Sequence, residues 1–225
     1  MSTNTVDLSC KRFLCPPMHR EGRRFVFIAA LLGLLGTALW LPLVVPGVLL
    51  TLGVYLFFRD PERVPPLDPQ AVVSPADGIV CMVTQAPVPA ALGAGAEPVW
   101  RVSVFMSVFN VHVNRMPAAG TVIRTHYIPG KFFNASLDKA SEDNERHLYL
   151  MKTESGKQLA FVQIAGLVAR RILCLVHEGQ ALARAERFGL IRFGSRVDVY
   201  LPPGVEPAVR IGQIMIAGET AIARL

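Results

Sequence analysis

The longest uncharged segment of the chain is the feature that most restricts its fold. It runs from Phe25 to Phe58, 34 residues without Asp, Glu, Lys, Arg or His. As one straight helix it would measure about 50 Å, whereas the hydrocarbon layer of a bilayer is about 30 Å thick. Pro42 and the Pro46-Gly47 pair fall near its middle, and proline interrupts a helix. Residues 25–58 are therefore predicted to form a hydrophobic helical hairpin in a membrane.

Basic residues on both sides of this segment predict its orientation. They are Lys11, Arg12, Arg20, Arg23 and Arg24 before it and Arg59 and Arg63 after it. Both ends are therefore expected on the cytoplasmic face of the cell membrane, with residues 1–24 as a basic cytoplasmic tail. The second limb, Val48–Phe58, is too short to span upright, so a spanning and a re-entrant hairpin both stay open. A cleaved signal peptide is disfavoured because its apolar region is typically about 7–15 residues long.

Composition narrows the possible partners. The chain has 225 residues, 52% of them hydrophobic, and a net charge of +6. No cluster of Lys and Arg is interleaved with aromatic residues, so an anionic membrane surface is expected as a partner and nucleic acid is not.

The cysteines have no spacing typical of a disulfide framework or a zinc site, which predicts free thiols and no metal site. They are Cys10, Cys15, Cys81 and Cys174.

A proline-rich linker, residues 59–71, is predicted to lead into one domain, residues 72–225. Short β-type runs separated by Gly and Pro dominate that domain. They predict a mainly β (α+β) fold, a β-sandwich or barrel, rather than a doubly wound parallel sheet. Within the domain, the segment with a helical pattern is Glu178–Glu186. The predicted strands are Ile79–Val83, Val99–Phe105, Val108–Val113, Thr121–Tyr127, His147–Lys152, Leu159–Ile164, Arg196–Leu201 and Val209–Ile216.

A polar stripe is predicted around His112. If Val108–Val113 is a strand, alternation places Asn110, His112 and Asn114 on one face and the valines on the other. Such a stripe suits the lining of a cleft. A structural, hydrogen-bonded histidine is the alternative.

Two further motifs carry residues that suit chemistry. Asp77 lies in the turn-like segment Ser-Pro-Ala-Asp-Gly, where it either closes its own turn or orients a histidine. Ser195 follows Gly194 and opens a strand-like run, which is either a plain turn or a nucleophile beside an accessible peptide. An Asp, a His and a Ser can form an orienter, base and nucleophile, but only the tertiary structure decides whether they meet.

Several motifs occur in one order along the chain: RDPER, SPADG, FMSVFNVHVNRMP, PGKFFNAS with NER, QIAGLVARRI and GLIRFGSRVDVYLP. Together they resemble the phosphatidylserine decarboxylase family, in its short form with an N-terminal hydrophobic hairpin. The similar archaetidylserine decarboxylases share these motifs, so a diacyl and an ether-lipid substrate both stay open.

The resemblance implies self-cleavage between Gly194 and Ser195, giving a large chain, 1–194, and a small chain, 195–225, that form a heterodimer, with or without further dimerisation. Ser195 would become a pyruvoyl group, a covalent cofactor. This group would convert phosphatidylserine to phosphatidylethanolamine and CO2 through a Schiff base. A membrane phospholipid is thus the expected partner.

The resemblance also implies residue roles. His112 would be the base in maturation and the acid in decarboxylation, with Asp77 as its orienter. The substrate would be bound near Lys131, Asn134, Arg146 and Gly166.

The chain departs from longer members of the family at one position. Those members have a second histidine directly before Met-Pro, where this chain has Arg115. Either His112 serves both steps, or a remote histidine assists. The candidates are His126, His147 and His177.

Two other functions stay open on the sequence. One is a membrane-tethered serine hydrolase that uses Ser195, His112 and Asp77. The other is a non-catalytic lipid-binding barrel, since the C-terminal segment from Val209 resembles strands of lipoyl-type barrels.

Overall fold

The computed structural model describes residues 16–130, 143–166, 171–192 and 195–225. Internal contacts divide the chain into two compact units, Met1–Glu62 and Arg63–Leu225. The division falls within the segment predicted as a linker, residues 59–71.

The first unit contains two apolar helices. Helix α1 spans Gly22–Leu39 and helix α2 spans Val44–Phe57, with a 3-10 turn at Leu41–Leu43 between them. Pro46 lies in the first turn of α2, where proline costs no helical hydrogen bond, so α2 begins earlier than the predicted Val48. α1 is long and apolar enough to cross a membrane. By length, α1 measures about 27 Å and α2 about 21 Å.

Glycine contacts close the helices into the predicted hairpin. A Cβ atom built on Gly47 would lie 2.8 Å from the Cα of Gly33, so the two backbones touch. The hydroxyls of Thr37 and Thr51 donate to the carbonyls of Gly33 and Gly47, each at 2.8 Å. These bonds satisfy the threonines within their own helices. Small residues at a helix crossing permit the close packing that holds helices together in lipid.

The second unit is built from antiparallel strands, which confirms the prediction of a mainly β fold. The strands are β1 (Ala71–Val73), β2 (Gly78–Pro87), β3 (Pro98–Met106), β4 (Val113–Arg115), β5 (Gly120–Ile128), β6 (Arg146–Thr153), β7 (Gln158–Ala165), β8 (Arg171–Cys174), β9 (Ala181–Leu182), β10 (Arg187–Arg192), β11 (Ser195–Tyr200), β12 (Ile214–Met215) and β13 (Ala221–Arg224). An eight-stranded sheet has the order β12-β2-β3-β11-β7-β6-β5-β9, a three-stranded sheet has the order β4-β10-β8, and β1 pairs with β13. The curled sheets form a half-barrel.

Three sequence predictions of local structure were wrong. Residues 107–112 form a turn and loop, so the strand predicted at Val108–Val113 begins only at Val113. Glu178–Glu186 is not a helix, because Gly179 and Ala185 have φ of +82° and +65°, which a right-handed helix excludes. Most of Val209–Ile216 is a turn around Gly212, whose φ is +90°, and only β12 is strand.

The central strand β11 separates two buried layers. Ser195, Val197 and Val199 face the main core with Met106 and Phe161, and successive residues of a strand point to opposite sides. Arg196 and Asp198 therefore share the other face. They form a fully buried ion pair with distances of 2.8 and 3.0 Å between guanidinium nitrogens and carboxylate oxygens.

Arginine contacts fasten residues 63–71 to the β domain. The guanidinium of Arg184 donates to the backbone carbonyls of Pro66, Asp68 and Ala71. The backbone N–H of Val64 donates to the carboxylate of Glu219 at 3.1 Å. This part of the predicted linker is thus bound along the domain surface rather than acting as a free spacer.

Candidate active site

Ser195 is the first residue of the central strand and is fully buried. In the antiparallel register it lies opposite Met106 of β3 on one side and Ala165 of β7 on the other. Its Oγ donates to the Sδ atom of Met106 at 3.3 Å. A thioether is a weak acceptor, so this contact costs little to break. The hydroxyl is therefore held out of water but only weakly bound in place.

A buried chain of hydrogen bonds leads from Tyr149 toward Ser195. The phenol of Tyr149 donates to Oε1 of Gln163 at 2.6 Å, and Nε2 of Gln163 donates to Oδ1 of Asn114 at 2.7 Å. Nδ2 of Asn114 then approaches the sulfur of Met106 at 3.6 Å. Burial raises the pKa of Tyr149 well above its usual value, so the phenol stays protonated and donates. The network links strands β6, β7, β4 and β3.

The glycine at position 189 leaves room for this network. A Cβ atom on Gly189 would lie 2.6 Å from Nε2 of Gln163 and 2.8 Å from the carbonyl oxygen of Leu173. No side chain fits there without displacing the glutamine amide. Strand β10 can therefore pass directly over Gln163 only because this residue is glycine.

His112 is also fully buried, and a turn holds its ring. Its Nδ1 lies 2.9 Å from the carbonyl oxygen of Asn110. A carbonyl only accepts, so Nδ1 donates in this contact, and a neutral ring would then have its lone pair on Nε2. The side chain of Asn110 fixes the turn, since its Oδ1 accepts from the backbone N–H and the hydroxyl of Ser107 at 2.9 and 2.8 Å.

The topology brings His112 and Ser195 to the same end of the sheet. The turn that carries His112 leaves β3 directly after Met106, the register partner of Ser195. The carbonyl of His112 accepts from the backbone N–H of Ile191, in the strand that leads through residues 193–194 to Ser195. His112 is therefore attached to β10, which precedes the predicted cleavage point, and follows β3, the pairing partner of β11.

Asp77 has contacts that the sequence did not predict. Its two carboxylate oxygens accept from Nη2 of Arg63 at 2.9 and 2.7 Å, and one also accepts from the N–H of Ala217 at 2.7 Å. These contacts join residue 63, the turn before β2 and the turn before β13. Its predicted role as the orienter of His112 stays a prediction.

Arg115, at the position of the second histidine, is buried and donates to the carbonyl of Ala185 at 3.0 Å.

The predicted substrate residues divide into two groups. Lys131 and Asn134 lie outside the described residues, as does Gly194. Gly166 is buried and follows Ala165, the neighbour of Ser195. Arg146, at the start of β6, is level with Ile164 and Arg196 and so points to the face opposite Ser195. A substrate contact of Arg146 stays a prediction.

The motif around Asn144 contributes structure that the sequence left unassigned. Nδ2 of the fully buried Asn144 donates to the carbonyl of Ala165 at 2.7 Å. The carboxylate of Glu145 accepts from the N–H of Ile172 at 3.1 Å. The first contact holds the end of β7 beside Ser195, and the second holds the start of β6 to β8.

Among the remaining histidines proposed as assistants, His126 and His177 are exposed. His147 is half-buried, stacks on Tyr149 with 4.6 Å between ring centroids, and lies opposite Gln163 in the register. Burial, and secondarily the nearby His126, lowers the pKa of His147 to about 4. The ring is therefore neutral at physiological pH. The residues that the structure describes contain no cluster of three His, Cys, Asp or Glu side chains able to hold a metal ion.

Comparison with known families agrees with this arrangement. The model of the family described as phosphatidylserine decarboxylase matches residues 50–223. The chain belongs to the phosphatidylserine decarboxylase family. The match extends from the second half of α2 through β13 and so includes Asp77, His112 and Ser195.

Curated relatives in the phosphatidylserine decarboxylase family cover nearly the whole chain. A phosphatidylserine decarboxylase proenzyme of Cereibacter sphaeroides is 60% identical over 209 residues, 93% of this chain and 90% of the relative. One of Ruegeria pomeroyi is 58% identical, covering 93% of this chain and 95% of the relative. One of Paramagnetospirillum magneticum is 54% identical, covering 97% of this chain and 91% of the relative.

Proposed function

We propose that this chain is a phosphatidylserine decarboxylase that cleaves its own Gly194–Ser195 bond and then converts phosphatidylserine to phosphatidylethanolamine and CO2. The observation that carries this proposal is Ser195, a fully buried serine at the start of the central strand whose hydroxyl, among the described residues, has only the weak acceptor Met106. Self-cleavage can use a buried hydroxyl because the peptide that the hydroxyl attacks directly precedes it. The proenzyme names of the relatives support the same conclusion.

The residue types fit the self-cleavage reaction. Nε2 of His112 takes the hydroxyl proton, Oγ of Ser195 attacks the carbonyl carbon of Gly194, and the C–N bond breaks to leave an ester. Removal of the Cα proton of Ser195 then expels the Gly194 carboxylate and leaves dehydroalanine. Water hydrolyses this residue to a pyruvoyl group and ammonia. A glycine on the acyl side offers the least steric resistance to the attack.

The surroundings of Ser195 fit the ketone that would replace its hydroxyl. Within the described residues, Nδ2 of Asn114 contacts the Met106 sulfur at 3.6 Å, a weak acceptor, and the Pro75 carbonyl at 3.5 Å, the upper limit of a hydrogen bond. This amide therefore retains donor capacity for a new oxygen near Met106. A pyruvoyl carbonyl supplies an electron sink for decarboxylation. In that step His112 would deliver the proton to the substrate Cα.

The sheet explains how the cleaved chain would stay assembled. The small chain, 195–225, begins with β11, which pairs with β3 along one side and β7 along the other for its full length. It also contributes β12, which pairs with β2, and β13, which pairs with β1. Cleavage before Ser195 breaks none of these pairings. The two chains would remain one heterodimeric domain.

The apolar hairpin suits an enzyme of lipid metabolism. Helix α1 is a candidate membrane anchor, and basic residues flank the hairpin at both ends. Because the substrate is a phospholipid, the anchor would keep the domain at headgroup level. The positive-inside tendency favours the cytoplasmic face for the domain. Lys131, Asn134, Arg146 and Gly166 remain the proposed substrate contacts.

The test is intact-mass analysis of the purified full-length protein, followed by CO2 release from phosphatidylserine vesicles. We expect two chains, with the small chain lighter by one ammonia than a fragment that begins with serine. Borohydride should abolish CO2 release by reducing the ketone. Ser195→Ala should remain one uncleaved, inactive chain, whereas Ser195→Thr, which keeps a β-hydroxyl, is the matched variant expected to retain slow cleavage.

Two outcomes would overturn the proposal. An active preparation in which the wild-type chain stays intact would exclude a pyruvoyl enzyme, and labelling of Ser195 by a fluorophosphonate would then indicate a hydrolase. A Ser195→Ala variant indistinguishable from wild type in CO2 release would exclude any chemistry at this serine and favour the non-catalytic barrel.

A further inference from the structure

Exposed isoleucines form a row at one end of the eight-stranded sheet. Ile214 of the edge strand β12 lies opposite Ile79 of β2, which lies opposite Phe105 of β3. Residues paired in this way point to the same face of a sheet. Ile214 is 75% exposed and Ile79 is 41% exposed, and Ile211, in the turn before β12, is 66% exposed.

The turn that carries His112 adds two more apolar residues at this end. Val108 is 45% exposed and Phe109 is 82% exposed. Their turn follows β3 directly after Met106, one residue beyond Phe105, so it leaves the sheet beside the isoleucine row. The edge patch is defined here as Ile79, Val108, Phe109, Ile211 and Ile214.

The segments that form the edge patch contain one charged residue. In residues 78–80, 105–109 and 209–216 it is the exposed Arg210. Asp77, which precedes the first of these segments, is paired with Arg63. Exposed apolar side chains with a basic neighbour are typical of surfaces that enter the headgroup region of anionic lipids.

The edge patch also lies at the end of the sheet where the proposed reaction occurs. Ser195 pairs with Met106, and His112 follows the same turn as Phe109. A phospholipid substrate keeps its acyl chains in the bilayer, so its headgroup reaches a buried serine only if this end of the domain meets the membrane surface. A protein partner would need no such coincidence with the reacting residues.

We propose that the edge patch docks the β domain onto the surface of an anionic bilayer, as a membrane contact separate from the apolar hairpin. The contact presents the Ser195 end of the sheet to lipid headgroups. This docking surface rests on the proposed lipid substrate. The patch should therefore affect decarboxylation only when that substrate is in a bilayer.

The experiment compares two forms of the substrate with the full-length protein. The patch variant is Ile211→Ser with Ile214→Ser. The matched control is Ile123→Ser with Leu175→Ser, 41% and 37% exposed. Ile123 lies in β5, beside the other edge strand of the eight-stranded sheet, and Leu175 follows β8 of the three-stranded sheet. We expect the patch variant to self-cleave normally and to lose about a hundredfold in kcat/KM on anionic vesicles, since each of the two apolar side chains lost weakens association about tenfold. On short-chain phosphatidylserine below its micelle concentration it should match wild type.

Several results would overturn this docking surface. The docking surface would be excluded if the patch variant lost kcat/KM equally on vesicles and on the short-chain lipid, or lost none on either. It would also be excluded if the control variant lost as much kcat/KM on vesicles as the patch variant. If the variant instead changes the oligomeric state in detergent, the patch is an interface between copies. An absence of CO2 from wild type on both substrates would refute the proposed function rather than the patch.

A second measurement does not depend on activity. Ile214→Trp and Ile123→Trp each add one tryptophan, at the patch and at the far edge. Vesicles with brominated acyl chains should quench the added fluorescence at 214 and not at 123. Equal quenching at the two positions would exclude the docking surface even in an inactive preparation.

Discussion

Ser195 and Met106 face each other across the β11–β3 register, and the serine hydroxyl donates to the methionine sulfur at 3.3 Å. A neutral hydrogen bond to oxygen stabilises a buried hydroxyl by about 1 kcal/mol, and sulfur is a weaker acceptor. The resting hydroxyl of the uncleaved chain is therefore easily released for attack on the preceding carbonyl.

Met106→Gln tests this relationship. The glutamine has a similar length and places a strong oxygen acceptor beside Ser195, so self-cleavage should slow about fivefold, the equivalent of about 1 kcal/mol. Met106→Leu, which removes the acceptor and keeps the volume, should cleave about as fast as wild type. The rates are measured by following the two chains on a denaturing gel after synthesis. Faster cleavage in the glutamine variant would contradict the argument.

Asn110 is expected to act as a positioning residue for His112. Asn110→Ala removes the acceptor for Ser107, so the turn loosens and the carbonyl that holds Nδ1 of His112 moves. Self-cleavage should slow about tenfold, within the range that a positioned base contributes. The acid side of the rate against pH, where a general base becomes protonated, should also shift.

Asn110→Asp serves as the rescue variant, since its carboxylate keeps an acceptor for Ser107. It should restore most of the rate. If both variants lower the rate with an unchanged pH profile, the turn has only a structural role.

His147 should make the protein less stable in mild acid. The native pKa is about 4, below the usual 6.5, so the unfolded chain binds the proton first as pH falls. The resulting loss of stability begins as pH falls through 6.5 and is complete below the native pKa. His147→Phe keeps a ring against Tyr149 and removes the titration. The difference in unfolding midpoint between about pH 7.5 and about pH 5 should be smaller in this variant. An identical difference would assign the acid sensitivity to other groups.

The glycine contact should determine the stability of the hairpin. Gly47→Leu places a side chain where Gly33 lies 2.8 Å from a Cβ, so the helices must separate. Gly53→Leu, in the same helix, is the matched control, because nothing lies within 4 Å of its Cβ position. Thermal unfolding in detergent should show a lower midpoint for the first variant and little change for the second. Equal midpoints would show that the crossing does not depend on Gly47.

Much of this fold could be predicted from the sequence because the hairpin and most strands follow local patterns. A charge-free run broken by proline is sufficient to predict the hairpin, and alternating runs between glycines predicted most strands of the main sheet within a few residues. Sequence reasoning misplaced the strand at Val108–Val113 because a valine-rich turn has the composition of a strand. The hydrogen bonds that form this turn, between Asn110 and Ser107, leave no period in the sequence.

The sequence by itself determined the apolar hairpin, the mainly β domain and the Gly194-Ser195 pair that resembles a self-cleaving bond, because each depends on the composition or order of nearby residues. Only the tertiary structure decided that Met106, Asn114, Gln163 and Tyr149 form the buried network at Ser195, and that Asp77 contacts Arg63. These partners are far apart along the chain, and strand register and burial, rather than any local pattern, bring them together.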